Sequence, residues 1–267
     1  MQVANYFKDG TAAITGAASG IGRATACLFA RDGCTRLFLG DLSMDGLEET
    51  RRIILKKHPE ARVEISHVDI SDEELVTNFY NQCISIFGRI DYAANVAGYV
   101  HPPGPAHTIP ESEYDKCYNI NLRGTFLCER AELRQMLKQE PLPGYQCRGS
   151  IVNVASMCST SAIPNLSVYS GTKGGVLGLS TTDAIDYGPD GIRVNVIAPG
   201  NTLTPMVTRE MGQDHIKHMA SMSLLRRNAE PEDIANGIAW LSSPQASFIT
   251  GVQLAIDGGL HLCTGPP

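Results

Sequence analysis

Short apolar or β-branched runs alternate with helix-length segments almost to the C-terminus, and this alternation restricts the chain to parallel strands joined by crossover helices. The strand candidates are Thr11–Thr15, Arg36–Asp41, Ala61–Asp69, Ile90–Val96, Ser150–Ser156, Ile192–Ala198 and Val252–Ile256. Between them the spacing predicts helices over Gly20–Arg31, Met44–Lys57, Asp72–Phe87, Ser112–Leu137, Ser167–Tyr187 and Pro231–Leu241. In the last of these, Ile234, Ile238 and Leu241 recur at i, i+4 and i+7, Pro231 suits a first turn, and Glu232 and Asp233 suit the positive helix end. Seven such strands make one open parallel sheet flanked by helices, an α/β doubly wound fold. The 267 residues would allow one large domain or two small ones. No boundary interrupts the alternation, so a single domain over residues 1–267 is expected.

Three stretches break the rhythm: His101-Pro-Pro-Gly-Pro105, the segment around Pro141–Gly149, and Pro199–Arg227. Long insertions in a tight α/β chain are where binding function concentrates. The formal charge of -6, with no local basic stripe, argues against a nucleic-acid partner. Neither a leader-like start nor a run of membrane-spanning length is present, which leads to the expectation of a soluble, cytoplasmic protein with no membrane partner. The eight cysteines (27, 34, 83, 117, 128, 147, 158 and 263) include no C-x-x-C pair and read as reduced thiols. His215 and His218 have helical ligand spacing, but no acidic or thiol partner lies near them in sequence, so they read as a polar helix face and no metal is expected.

Directly after the first strand comes Thr15-Gly-Ala-Ala-Ser-Gly-Ile-Gly22, leading into a helix. Small residues let the backbone turn tightly, and free N–H groups at a helix start attract a pyrophosphate. A Gly-rich turn also serves as a plain strand-to-helix connection. The second strand, however, ends in Asp41, 25 residues after Gly16. A carboxylate there accepts both hydroxyls of an adenosine ribose and repels a 2′-phosphate, and the two features together point to a dinucleotide.

A second constellation is Ser156, Tyr169 and Lys173. Tyr169 and Lys173 stand at i and i+4 on a predicted helix, on one face and within reach of a shared ligand. An ammonium so placed lowers a phenol pKa from its reference near 10 and fits Tyr169 for proton transfer.

With these motifs the chain resembles the short-chain dehydrogenase/reductase family in its Rossmann-like form, over essentially its whole length. Thr15–Gly22, with Gly16, Ser19, Gly20, Ile21 and Gly22, is similar to the family's T-G-x-x-x-G-I-G cofactor turn. Asp69, followed by Ile70, corresponds to the acid that meets the adenine, and Asn95-Val-Ala97-Gly98 to the N-x-A-G strand end. Asn121 in Asn119-Ile-Asn-Leu122 matches the helix-borne active-site Asn. Ser156 precedes Tyr169 by 13 positions, and Tyr169-Ser-Gly-Thr-Lys173 is similar to Y-x-x-x-K. Pro199 and Gly200 open the nicotinamide-side loop with Thr202 and Thr204, and Asp257-Gly-Gly259 resembles the C-terminal signature. Gly171 and Thr202 depart from the usual Ala and Ile or Val, and Met157 and Cys158 stand where many members carry small residues.

The resemblance implies a catalytic set of Asn121, Ser156, Tyr169 and Lys173. Tyr169 would take the hydroxyl proton, Ser156 would bond the oxygen, Lys173 would hold the nicotinamide ribose and depress the tyrosine pKa, and Asn121 would position a relay water. The cofactor residues implied are Gly16, Ser19, Gly20, Ile21, Gly22, Asp41, Asp69, Ile70, Asn95, Ala97, Gly98, Tyr169, Lys173, Pro199, Gly200, Thr202 and Thr204. Asp41, with no basic residue at Ser19 and no Arg immediately after the second strand, favours NAD over NADP. The substrate implied is a small-molecule secondary alcohol or ketone. Met206, Val207, Met211, Ile216, Met219, Met222, Leu224 and Leu225, on a lid segment of about 200–227, suggest a lipophilic, ring-containing one such as a steroid-, terpenoid- or polyketide-like molecule. The stretch Gly149–Lys173 also looks like that of dehydrogenases of fungal secondary metabolism. Three competing readings are an NADP-linked ketoreductase of acyl chains, a polyol enzyme and a cofactor-bound regulator. The resemblance further implies a homo-oligomer, a tetramer, paired through the helices at Ser112–Leu137 and Ser167–Tyr187.

Overall fold

The computed structural model describes residues 6–208 and 212–262, with nothing given for the side chain of His215; Met211 and Cys263 lie outside the described residues. One seven-stranded sheet forms the centre, in the order β3-β2-β1-β4-β5-β6-β7. Its strands are β1 (Thr11–Thr15), β2 (Arg36–Asp41), β3 (Arg62–His67), β4 (Tyr92–Asn95), β5 (Gly149–Val154), β6 (Ile192–Pro199) and β7 (Gln253–Ile256). Every pairing is parallel. The order reverses between β1 and β4, and in such sheets the crevice beyond the strand ends at that point is where a ligand sits.

The helices are α1 (Gly20–Arg31), α2 (Met44–Lys57), α3 (Glu73–Phe87), α4 (Glu111–Tyr118), α5 (Thr125–Met136), α6 (Ser167–Tyr187), α7 (Pro205–Thr208), α8 (Gln213–Met222) and α9 (Pro231–Ser242). Side-chain alternation along the strands supplies a core on each face of the sheet. Ala12, Ile14, Leu37, Leu39, Val152 and Val154 pack with residues of α1, α2 and α9. Ala13, Phe38, Ala93 and Ile151 turn to the other face, towards α3, α5 and α6. Local signals set several ends. Asp72 caps α3 by accepting from the N–H groups of Glu74 and Leu75 at 2.8 and 3.1 Å, and Gly88 closes it in the left-handed conformation.

The strands inferred from sequence are too long at both ends of β3 and β4 and at the C-terminal end of β5, because apolar burial continues past the paired residues. Ala61, Val68, Ile90 and Ala155 are all buried without being strand. The single helix expected over Ser112–Leu137 is also corrected. It begins at Glu111 after Pro110, passes through a π-turn at Asn119–Gly124, and resumes as α5. A π-turn admits one extra residue and re-aims the side chains it carries, and such turns cluster at functional sites. This one turns Asn121 inward to full burial. Among the described residues no helix is long and apolar enough to cross a membrane, and the described cysteines are free.

Candidate active site

The turn after β1 is shaped by two close approaches. Gly16 has φ +71°, and a Cβ there would lie 2.7 Å from the Ala97 nitrogen; a Cβ on Gly22 would lie 2.0 Å from the Gly16 carbonyl oxygen. Any larger residue would push α1 off β1 and fill the cradle in front of its first turn. Ser19 caps α1 without a side-chain hydrogen bond, which leaves the N–H groups of that turn for an anionic ligand. The turn is also braced from behind by residues that the sequence pattern did not single out. Arg23 donates from Nη2 to the Ala18 carbonyl and from Nε to Thr50 Oγ1 at 3.0 Å, and Thr50 Oγ1 donates to the Ala17 carbonyl at 2.9 Å. No Arg follows the second strand directly, but the Arg23 guanidinium stands behind the turn, with its Nε and Nη2 donors committed to it.

Asp41 ends β2 beside the same turn. Its Oδ2 accepts from the Ala18 N–H at 3.0 Å and its Oδ1 from the Ser43 N–H at 3.0 Å. It therefore caps the chain toward α2 and braces the Gly-rich turn from the end of β2. Asp69 accepts from the Ser71 N–H and Oγ at 2.9 and 2.7 Å, so its position is set by its own loop, and Ile70 beside it is buried. Asn95 behaves differently from expectation. Its side chain points into the core, where Nδ2 donates to Glu132 Oε2 at 3.0 Å and Asn153 Oδ1 at 2.9 Å.

That core contact belongs to a buried polar network the sequence did not disclose. The Tyr80 hydroxyl donates to Glu132, and Asn153 Nδ2 donates to Glu129 Oε2 and Ser180 Oγ at 3.0 and 2.8 Å. Burial pushes the Glu132 carboxyl up to about 7 against the pull of its bonds from Tyr80 and Asn95, and pushes Glu129 well above the carboxylate range. The only trace in sequence is a pair of acids at i and i+3 on the inward face of α5.

The catalytic candidates do come together. Gly98 lacks a Cβ where one would stand 3.3 Å from Asn121 Oδ1 and 3.5 Å from Lys173 Nζ, so both polar groups close over the end of β4. Lys173 is buried and donates from Nζ to the Val154 carbonyl at 2.8 Å, and it lies 5.8 Å from the Tyr169 ring centroid. Ser156 accepts at Oγ from the Cys158 N–H at 3.2 Å, and its hydroxyl stands close enough to the Tyr169 phenol to pull that group's pKa down. Burial lowers Lys173 to about 8. Burial likewise raises the Tyr169 phenol, and the Ser156 bond is what offsets this. The expected depression of Tyr169 by Lys173 is thus absent from this geometry, because the ammonium is turned to Val154.

At the far wall, Gly200 packs where a Cβ would meet Asp257 Cβ at 2.6 Å, and its N–H donates to the Ile256 carbonyl at 3.0 Å. Thr202 Oγ1 donates back to the Gly200 carbonyl at 3.0 Å, so its side chain is used within the loop. A Cβ on Gly20 would lie 3.1 Å from Thr204 Cγ2, which closes the loop from Pro199 over the Gly-rich turn. Among the described residues no group of three His, Cys, Asp or Glu side chains could hold a metal.

Residues 16–261 match the family model described as Enoyl-(Acyl carrier protein) reductase. Levodione reductase of Leifsonia aquatica is 37% identical over 260 residues, covering 95% of this chain and 94% of the relative. A crystal structure of levodione reductase superposes with a TM-score of 0.90 at 36% identity, covering 96% of this chain and 99% of that one. A cis-4-hydroxycyclohexanecarboxylate dehydrogenase of Sinomonas cyclohexanicum is 35% identical over 253 residues, covering 95% of this chain and 97% of the relative. The short-chain dehydrogenase anuF of Penicillium roqueforti is 34% identical over 266 residues, covering 95% and 96%.

Proposed function

Because the chain belongs to the short-chain dehydrogenase/reductase family and is an oxidoreductase acting on alcohols or ketones, we propose that it is an NAD-preferring dehydrogenase of lipophilic, ring-containing secondary alcohols. The observation that carries this reading is the convergence of Asn121, Ser156, Tyr169 and Lys173 at the ends of β4 and β5, beside a cradle whose edge carries the Asp41 carboxylate.

The residues fit a nicotinamide dinucleotide. A Cβ on Gly16 or Gly22 would fill the cradle, α1 leaves its first N–H groups uncapped by side chains, and Asp41 supplies acceptors at the ribose position. Gly16, Ser19, Gly20, Ile21 and Gly22 would hold the pyrophosphate. Asp69 and Ile70 would hold the adenine, and Ala97 and Gly98 would border the ribose. Pro199, Gly200, Thr202 and Thr204 would border the nicotinamide. A nicotinamide dinucleotide held there would supply hydride transfer at the substrate carbon. Tyr169 moves the hydroxyl proton at its phenol oxygen, and Ser156 holds both that oxygen and the substrate oxygen. Lys173 binds ribose hydroxyls from its place under Val154, and Asn121 orients a proton-relay water beside Tyr99.

The name of one relative, a cis-4-hydroxycyclohexanecarboxylate dehydrogenase, supports a ring-bearing substrate. So does the apolar lid segment of about 200–227, where Met206 and Leu224 are exposed and Met219 is buried. We also read the protein as a cytoplasmic homotetramer, with residues 1–267 acting as one domain. Tyr114 and Tyr118 stack at 6.2 Å on α4, and with Phe126 on α5 they form an exposed apolar strip available for a partner copy. Sedimentation as a monomer at micromolar concentration would reject that assembly.

The test of the activity is initial-rate cofactor reduction with a panel of cyclic, terpenoid, steroid, polyol and short acyclic secondary alcohols, using NAD and NADP in parallel. Turnover of ring alcohols with NAD is the expected result. Better rates with NADP, or with polyols, would favour the competing enzyme readings. Cofactor binding without turnover of any alcohol or ketone would favour a regulator.

A further inference from the structure

The C-terminal signature Asp257-Gly-Gly259 is followed by a 3-10 turn, Leu260–Leu262, which enters the active-site wall. Leu260 is 5% exposed and forms one apolar cluster with Met157 and Cys158, against which Ile163, Tyr169 and Met222 pack. These residues come from the turn after Ser156, the loop before α6, α6 itself, the end of α8, and the C-terminal turn.

The turn is built to hold Leu260 there. Asp257 is buried; its Oδ1 accepts from the Gly259 N–H at 2.9 Å, and its Oδ2 meets the His261 N–H at 2.9 Å and His261 Nδ1 at 2.7 Å. The Leu260 N–H donates to the Asp257 carbonyl at 3.2 Å. Gly258 and Gly259 take φ +62° and +81°, and a Cβ on Gly259 would lie 2.7 Å from Leu224 Cδ1. The Leu225 N–H donates to the Gly258 carbonyl at 3.2 Å, which ties the turn to the loop that leaves α8 in the lid segment. Conformation, capping and packing therefore agree in aiming one leucine at the cluster beside Tyr169.

We infer that Leu260 is a specificity-determining residue: it completes an uncharged wall beside Tyr169 that selects secondary alcohols presenting a hydrocarbon ring face. This rests on the proposed dehydrogenase reading. The wall is rich in sulfur, with Met157, Cys158 and Met222, and such polarizable side chains adapt to an apolar ring. It gives the extra hydroxyls of a polyol no charged partner, and unpaired polar groups bind poorly in such surroundings.

The test compares wild type with Leu260→Ala and Leu260→Met. The ratio of kcat/KM for a substituted cyclohexanol to that for 2-propanol is expected to fall at least about tenfold in Leu260→Ala, in line with what missing methylenes do in apolar pockets, and to recover in Leu260→Met. An unchanged ratio overturns the inference. Where Leu260→Ala does not fold, Leu260→Val removes one methylene and should move the ratio the same way. A second readout needs no turnover: N-ethylmaleimide alkylation of Cys158, mapped by peptide mass, should accelerate in Leu260→Ala and not in Leu260→Met. If wild type turns over no alcohol, the dehydrogenase reading fails separately, and an unchanged Cys158 alkylation rate then removes Leu260 from the wall.

Discussion

Asn121 is held at both ends of its carboxamide by the backbone of Tyr99, whose N–H donates to Oδ1 at 2.7 Å and whose carbonyl accepts from Nδ2 at 2.8 Å. The pair joins the loop leaving β4 to the π-turn between α4 and α5, and it fixes which end of the carboxamide faces which partner. Nδ2 also approaches Thr172 Oγ1 at 3.2 Å, one residue before Lys173. Asn121→Asp keeps the acceptor but sets an oxygen against the Tyr99 carbonyl. It is expected to lose about 1–3 kcal/mol of stability, the cost of a buried group left unpaired, together with most turnover. Denaturant unfolding checks this, and wild-type stability in the mutant would show that the clamp does not orient the loop.

Asp41 is expected to set the cofactor preference through the ribose, with a second effect that follows from its bond to the Ala18 N–H. Asp41→Ala should weaken NAD and relieve the repulsion of a 2′-phosphate. If each effect contributes about 1–2 kcal/mol, the NAD to NADP ratio of kcat/KM falls roughly thirtyfold to nearly a thousandfold. Arg23 behind the turn has its Nε and Nη2 donors bound to Thr50 and Ala18, so it should gain little from the added phosphate. An unchanged ratio with a lowered melting temperature would make Asp41 a cap alone.

The alternation of strand and helix, the Gly-rich turn and the Tyr169/Lys173 pair are legible in sequence because each is a local pattern with one geometric consequence. Gly16 and Gly22 are needed where neighbouring backbone leaves no room for a Cβ, and spacing alone reports that. The π-turn at Asn119–Gly124 escapes, since it arises from where Asn121 finds partners 22 residues away rather than from helix propensity. Arg23 and Asn95 escape for a similar reason. A side chain near a motif can face the ligand or the core, and the partners that decide, Thr50 for one and Glu132 for the other, are distant in sequence. Leu260 escapes because an apolar residue after a Gly pair carries no signal of where the turn aims it.

The buried acids make stability depend on pH in a stated direction. Glu132 is raised from 4.5 to about 7, chiefly by burial, so the folded chain holds a proton that the unfolded chain has already released. Its contribution is complete below about pH 4.5 and is lost as pH rises through about 7. Glu129 and Asp183 are raised as well and add to the same slope. Glu132→Gln keeps an acceptor for Tyr80 and removes the titration, so the fall in stability between pH 5 and 7.5 should be shallower than in wild type. Melting curves across that range decide it, and parallel curves for the two proteins would place the proton elsewhere.

Tyr169 and Lys173 should separate by which measured quantity each controls. The phenol is raised by burial and helped only by Ser156, whereas Lys173 is lowered to about 8 and bonded to the Val154 carbonyl. Tyr169→Phe removes one oxygen from a packed wall, so fold and cofactor affinity should stay, while turnover falls at least about a hundredfold, the lower range for a lost general acid–base group. Lys173→Met removes the ribose donor and leaves the Val154 carbonyl without its partner, so cofactor affinity should fall along with turnover. Its stability should also rise less than the wild type's as pH climbs from 8 to 10.5, because the desolvated ammonium is gone. The sign follows from linkage: with a folded value of about 8 below the unfolded 10.5, wild-type stability grows as pH rises from 8 to 10.5, and the mutant lacks that rise. Cofactor titration by fluorescence, turnover at saturating cofactor and melting at pH 7 and 10 distinguish the two residues. Unchanged cofactor affinity in Lys173→Met would remove its ribose role, and undiminished turnover in Tyr169→Phe would assign the proton transfer to another group.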